Sequence, residues 1–168
     1  MTADQIVEIL GLCPLPGEGG FYIESYRSTD RLAQQVLPSR YSGDRSMGTA
    51  IYYLLTPETF SALHKLPTDE IFHFYLGDPV EMLRLSPDGL GERILIGNDI
   101  LQGQRPQVVV PRDTWQGSRL VQGGQFALLG VTLAPGFEFD DYVHGVRAQL
   151  QDAYPEYRAL IGALTREH

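Results

Sequence analysis

Apolar residues fall in short runs along this chain, and Gly or Pro separates most of them; its 168 residues include 18 Gly and 11 Pro. Within the runs the alternation has period two, the spacing of a strand with one buried face. It predicts strands at 21–26, 49–55, 60–65, 70–76, 80–85, 93–96, 107–110, 114–120 and 125–133. Thr56-Pro57 could instead open a short helix, which competes with the strand at 60–65. Turns are expected at Gly77-Asp78-Pro79, Pro87-Asp88-Gly89, Pro111-Arg112-Asp113 and Gly123-Gly124, where Gly and Pro supply the unusual dihedrals and Asp the local hydrogen bonds. Residues 28–46 are polar and lack a period, so a long loop or an arm pairing elsewhere is expected. Helical spacing is confined to the ends. Residues 2–10 can be capped by Thr2, carry Asp4 in the first turn and place Ile6, Ile9 and Leu10 on one face, with Gly11 and Pro14 ending the helix. At 155–166, Tyr157, Leu160, Ile161 and Leu164 share a face.

Many short strands with few helices predict an all-β sandwich or barrel. Nothing alternates strand with helix as a parallel sheet would need. The length favours one domain over 1–168, with a helix and lead-in at 1–14 and a helical segment at 143–168. Composition narrows the partners. A formal net charge of −8 argues against phosphate-backbone binding and against anionic membranes. The single cysteine, Cys13, excludes an internal disulfide and a Cys-rich zinc site. There is no apolar run of membrane-spanning length, and MTADQIVEIL lacks the features of a signal peptide. A cytoplasmic location without nucleic-acid or membrane partners is the expectation. Gly17–Gly20 (GEGG) lacks the Gly-Lys-Ser/Thr of a phosphate loop and precedes a strand.

The chemistry concentrates at SALHKLPTDEIFHFYLGDP (61–79). On a regular strand Glu70, Phe72, Phe74 and Leu76 share one face, while Ile71, His73 and Tyr75 share the other. His64 can reach the face of Glu70 across the turn at 66–68. His73 is then expected to pack at a sheet or dimer surface. A carboxylate beside Phe72 and Phe74 would have a raised pKa, which suits proton transfer. Tyr52 and Tyr53 lie on opposite faces of one strand, so one of them should enter a pocket. Thr114, Gln116 and Ser118 form a polar face, expected to line it. Glu24 and Tyr26 are expected to share a face with Tyr22 and to meet a ligand. Asp140, Asp141 and His144 are expected to be caps and solvated charge rather than a second metal site.

These residues resemble the cupin motifs. Glu70-x6-Gly77 matches the end of the first motif, and His64 stands near its second His; Ala62 occupies the position of the first. Pro111-x-Asp113-x2-Gln116 resembles the second motif, with Gln116 in place of its His. Residues 64–79, GGFYIESY (19–26), TAIYYLL (49–55) and TLAPGFEFDDY (132–142) are similar to a short cupin subfamily of unassigned function.

The resemblance implies a cupin double-stranded β-helix, or jelly roll, with short terminal helices, paired as a homodimer, with a small-molecule pocket inside the barrel. Metal-using cupins hold a divalent transition metal with three His and one Glu. The corresponding set here is His64, Glu70 and Gln116, and the loss of two His makes a metal-free site the expectation. A metal-independent isomerase or epimerase would use His64 or Glu70 as base and Tyr52 or Tyr53 as acid, on a sugar-like or other small polar substrate. The alternatives are a non-catalytic small-molecule binder and a metal-dependent enzyme.

Overall fold

The computed structural model describes residues 1–166. Helix α1 (Ala3–Leu10) opens the chain. Strands β1 (Cys13–Pro14), β2 (Phe21–Arg27), β3 (Arg31–Leu32), β4 (Arg45–Ser46), β5 (Thr49–Leu55), β6 (Phe60–Lys65), β7 (Glu70–Gly77), β8 (Val80–Leu85), β9 (Gly91–Ile96), β10 (Gln107–Val110), β11 (Trp115–Leu120), β12 (Ala127–Leu133) and β13 (Val143–His144) follow. Helices α2 (Arg147–Ala153) and α3 (Arg158–Ala163) come last.

The major strands form two antiparallel sheets, in the orders β1-β2-β5-β12-β7-β10 and β13-β6-β11-β8-β9. Side chains from both sheets meet in one core that includes Tyr53, Leu55, Phe72, Val80, Met82, Ile96, Leu129 and Val131. The outer face of the first sheet is partly covered by α1, through Ile6, Leu54 and Leu128. The outer face of the second packs on α2 and α3 through Leu63, Leu83, Leu85, Leu150 and Ile161. The helices thus seal apolar sheet faces and leave the space between the sheets for the site. None of the described helices is long and apolar enough to cross a membrane.

The N-terminal helix has the expected cap. Thr2 accepts from the Gln5 amide and the Gln5 side chain accepts from the Thr2 amide, closing a capping box. The C-terminal segment differs from the single helix predicted. Pro155 starts a 3-10 turn that separates α2 from α3; α2 lies in the helical segment expected at 143–168, but the helical spacing read at 155–166 does not reach it because only Leu150 in it is buried. The stretch at 60–65 is a strand, preceded by a turn in which the Thr56 amide bonds Thr59 Oγ1.

The polar arm at 28–46 does pair, through β3 and β4. It also carries Arg45, whose guanidinium meets Asp141 at 2.5 and 3.0 Å. Both side chains are buried, so Asp141 is not the solvated charge expected. The ion pair pins the segment that delivers Tyr142 to the site. Asp141→Ala leaves Arg45 buried without its carboxylate and should cost roughly 3–5 kcal/mol in urea unfolding. Asp140→Ala, at an exposed position, should stay within about 0.5 kcal/mol of the parent.

Candidate functional site

An irregularity in β6 positions the site. Gln116 of β11 faces His64, but Ser118 faces Ser61, so β6 holds one residue more than β11 over that span. A bulge of this kind resets the alternation. It brings Ser61 and His64, three positions apart, toward the same interior, while Leu63 packs outward under the helices.

His64 is fully enclosed and bonded on both ring nitrogens. Nδ1 lies 2.7 Å from the Ala62 carbonyl, which can only accept, so Nδ1 carries the proton. The Gln116 side-chain amide then donates to His64 Nε2 at 2.8 Å, and its second hydrogen reaches Glu70 Oε2 at 3.2 Å. Gln116 Oε1 is buried with no hydrogen-bond partner. Glu18 arrives from the GEGG loop: its Oε1 accepts from Ser61 Oγ at 2.8 Å and its Oε2 lies 3.7 Å from His64 Nε2. The glycines are what allow this. Gly19 has φ +106°, and a Cβ there would lie 2.4 Å from the Phe60 carbonyl. The loop can therefore press onto β6, where the Ala62 amide donates to the Glu18 carbonyl. Tyr142 stacks on His64 with ring centroids 4.8 Å apart. Tyr53 donates to the Gly19 carbonyl at 2.9 Å.

Burial pushes the Glu70 carboxyl up to about 7, with Glu18 adding to the rise and His64 and Gln116 opposing it. Burial works to lower His64, but Glu18, Glu70 and the Ala62 carbonyl outweigh it and raise the imidazole. The Tyr53 and Tyr142 phenols are held well above their ordinary range, chiefly by burial and then by Glu18.

Glu18, Tyr53, His64, Glu70 and Tyr142 border a cavity of about 330 Å³ between the sheets, whose wall also includes Glu24, Arg27, Phe72 and Phe137. At its edge Arg27 binds Glu24 through Nε and Nη2 at 3.0 and 2.8 Å and Glu138 through Nη1 at 3.0 Å.

The family model for the cupin superfamily (DUF985) matches residues 4–144. The chain is a cupin. A hypothetical protein from Leishmania major is similar over 99% of this chain and 100% of its own, at 30% identity and a TM-score of 0.88. A protein from Shewanella oneidensis is similar over 100% of this chain and 99% of its own, at 34% identity and a TM-score of 0.86. An uncharacterized protein of Saccharomyces cerevisiae is 30% identical over 134 residues, spanning 74% of this chain and 66% of the yeast protein. Oxalate decarboxylase structures share the fold at 15% identity and a TM-score of 0.55. The all-β jelly roll with short terminal helices is thus the cupin double-stranded β-helix.

Within this cupin the structure brings His64, Glu70, Tyr53, Phe72 and Glu24 to the cavity wall and leaves other expected residues off it. Gln116, expected on the wall, is fully buried and touches the site only through His64 and Glu70. Tyr52 points outward and meets Tyr75 edge-on, with ring centroids 5.9 Å apart. Tyr26 is exposed, because the β2–β5 register slips between Glu24 and Tyr26 and reverses the alternation there. The same slip turns Arg27 inward. A second slip, where β7 meets β12, leaves Phe74 inside and puts Leu76 under α1. Phe74 packs in the filled core rather than on the cavity wall. Thr114 belongs to the turn before β11, bonding the Pro111 carbonyl, and Ser118 is buried opposite Met82 and Ser61, away from the wall. His73 sits on the outer sheet face and bonds Thr132 Oγ1 at 3.0 Å. Glu18, Arg27 and Tyr142 were missed. The signal for Glu18 was a lone carboxylate among three glycines, which a phosphate-loop test alone does not weigh.

The metal ligand set does not fit. His64, Glu70 and Gln116 do converge, but the amide hydrogen of Gln116 occupies the Nε2 lone pair that a metal would need. Among the described residues, no group of three His, Cys, Asp or Glu side chains is arranged to hold a metal ion.

The raised carboxyl sets a pH dependence. Glu70 ionises near 4.5 when unfolded and near 7 here. Between those values the unfolded chain sheds a proton that the fold keeps, so this contribution is complete below about pH 4.5 and lost as pH rises through about 7. His64, raised from 6.5, shifts stability in the same direction at higher pH. Glu70→Gln should remove roughly 3 kcal/mol of the decline between about pH 5 and about pH 8, read from urea unfolding at both.

Proposed function

We propose that the cavity is an acid–base site, the centre of a metal-independent isomerase or epimerase-like enzyme acting on a small, sugar-like carbonyl compound. One observation carries this reading: a carboxyl held near neutrality, Glu70, stands 4.0 Å from a buried imidazole that is itself 3.7 Å from a second carboxylate. A group whose pKa lies near the working pH is the effective proton carrier, and a cavity of about 330 Å³ suits one small ligand.

Ionised Glu70 takes the proton from the carbon beside the substrate carbonyl; the C–H electron pair moves into an enediol, and a phenol, Tyr53 or Tyr142, protonates the oxygen. Glu70 then returns its proton to the neighbouring carbon, or water carries a proton to the other face of the same carbon as Glu70 releases its own; the phenolate takes back an enediol hydroxyl proton as the carbonyl re-forms, completing the isomerisation or epimerisation. His64 Nε2 can hold the proton in transit only if the Gln116 amide turns its unpartnered Oε1 toward the ring. That makes Gln116 a positioning residue. A second reading, ligand binding without catalysis, is favoured by the closed His64–Gln116 bond, which leaves the imidazole engaged.

Incubation with candidate ketoses and aldoses in D2O, followed by proton NMR, separates the two readings. Catalysis predicts loss of the signal next to the carbonyl, slowed by about 10²–10⁴-fold in Glu70→Gln. Exchange with none of the sugars, or exchange unchanged in Glu70→Gln, would overturn the acid–base reading.

A further inference from the structure

The cavity is rich in carboxylate oxygens and, among its described side chains, holds no unengaged permanent cation. Among the described side chains on its wall, Arg27 is the one permanent cation, and its guanidinium is engaged by Glu24, Glu138 and the Phe137 carbonyl. Ser61 donates to Glu18, Tyr53 to Gly19, and His64 Nδ1 to Ala62. Both amide hydrogens of Gln116 are engaged as well. The Tyr22 and Tyr142 phenols remain as neutral donors, and the charged groups on offer are the carboxylates of Glu18 and Glu70; the unpartnered Gln116 Oε1 is buried off the wall. Aromatic rings line the same cavity, namely Tyr22, Tyr53, Phe72, Phe137, Phe139 and Tyr142.

Such a wall discriminates by charge. An anionic ligand would meet Glu18 and Glu70 with no unengaged cation to receive it, and a buried unpaired charge is costly. A neutral polyol would have donors for the carboxylates but would bring no charge to offset theirs. An ammonium group brings three donors and a positive charge, and aromatic faces attract it further.

We propose that the ligand of this cavity carries a primary ammonium group, received by Glu18 and Glu70 between the aromatic rings. The inference rests on the cavity being the ligand site, as in the function proposed above, and not on any reaction taking place there.

The probes are glucosamine, glucose and glucuronate, which share one ring and differ in charge. Binding is read by saturation-transfer NMR and calorimetry at about pH 8, where Glu70 is ionised. Glucosamine should bind at least about tenfold tighter than glucose, as charge-assisted hydrogen bonds are stronger than neutral ones, and glucuronate should bind more weakly than either. Glu18→Gln and Glu70→Gln should each narrow the glucosamine preference, while Glu8→Gln, on the exposed side of α1, should leave it intact. Equal affinity for glucosamine and glucose, preference for glucuronate, or binding of none of the three would overturn the proposal. Amine preference without deuterium exchange would sustain it and sink the isomerase reading; exchange on neutral sugars without amine preference would do the reverse.

Discussion

Glu70 places a carboxyl group between two apolar sheets, where an uncompensated charge would cost several kcal/mol. Much of the nearby structure answers that cost. Gln116 donates to it from the facing sheet, His64 lies within ion-pair range, and burial leaves the group near neutrality rather than fully ionised. The partners have their own requirements. Ser61 and His64 share one interior only because β6 bulges. Glu18 reaches His64 only because Gly19 lets the preceding loop close onto β6. Tyr142 stacks on the ring next to a residue anchored through the buried Arg45–Asp141 pair. A sandwich of this size could have been filled with Leu and Val. Polar groups are instead retained on one side of the core, beside the cavity.

The family supplies the scaffold and stops short of the chemistry. Cupins share a fold that hosts unrelated reactions, and the full-length likenesses to the Leishmania and Shewanella proteins extend the fold without naming an activity. What separates this chain from metal-using cupins is local. Ala62 offers the imidazole a backbone carbonyl where a histidine ligand would stand, and Gln116 offers an amide hydrogen where another would. The imidazole is thereby held in one tautomer by its neighbours, the role that outer partners play around a metal ligand, but with a glutamine in the place of the ion.

Most strands were legible because period-two alternation and Gly or Pro breaks are local signals; those at 49–55, 60–65, 80–85 and 107–110 have the boundaries predicted. The site was half legible. His64 and Glu70 followed from alternation and motif spacing, which also put Gln116 in the cluster; alternation placed one of Tyr52 and Tyr53 inside without choosing between them. The errors trace to register slips, which are not visible in a period-two pattern: one in β2 exchanged Tyr26 for Arg27, and one against β7 moved Leu76 to the outer face. Glu18 and Tyr142 enter from segments far away in the chain, and no local pattern reports which loop folds over which strand. Asp141 was misjudged for the same reason, since its partner lies 96 positions away.

The most direct test of a closed acid–base cluster, as opposed to a vacated metal centre, is the ¹⁵N spectrum of the His64 ring recorded with and without stoichiometric Zn²⁺. The structure predicts a proton on Nδ1, an Nε2 that accepts from Gln116, and ring shifts that zinc leaves in place. A saturable displacement of the Nε2 resonance on adding the metal, or a neutral ring protonated at Nε2, would contradict the account.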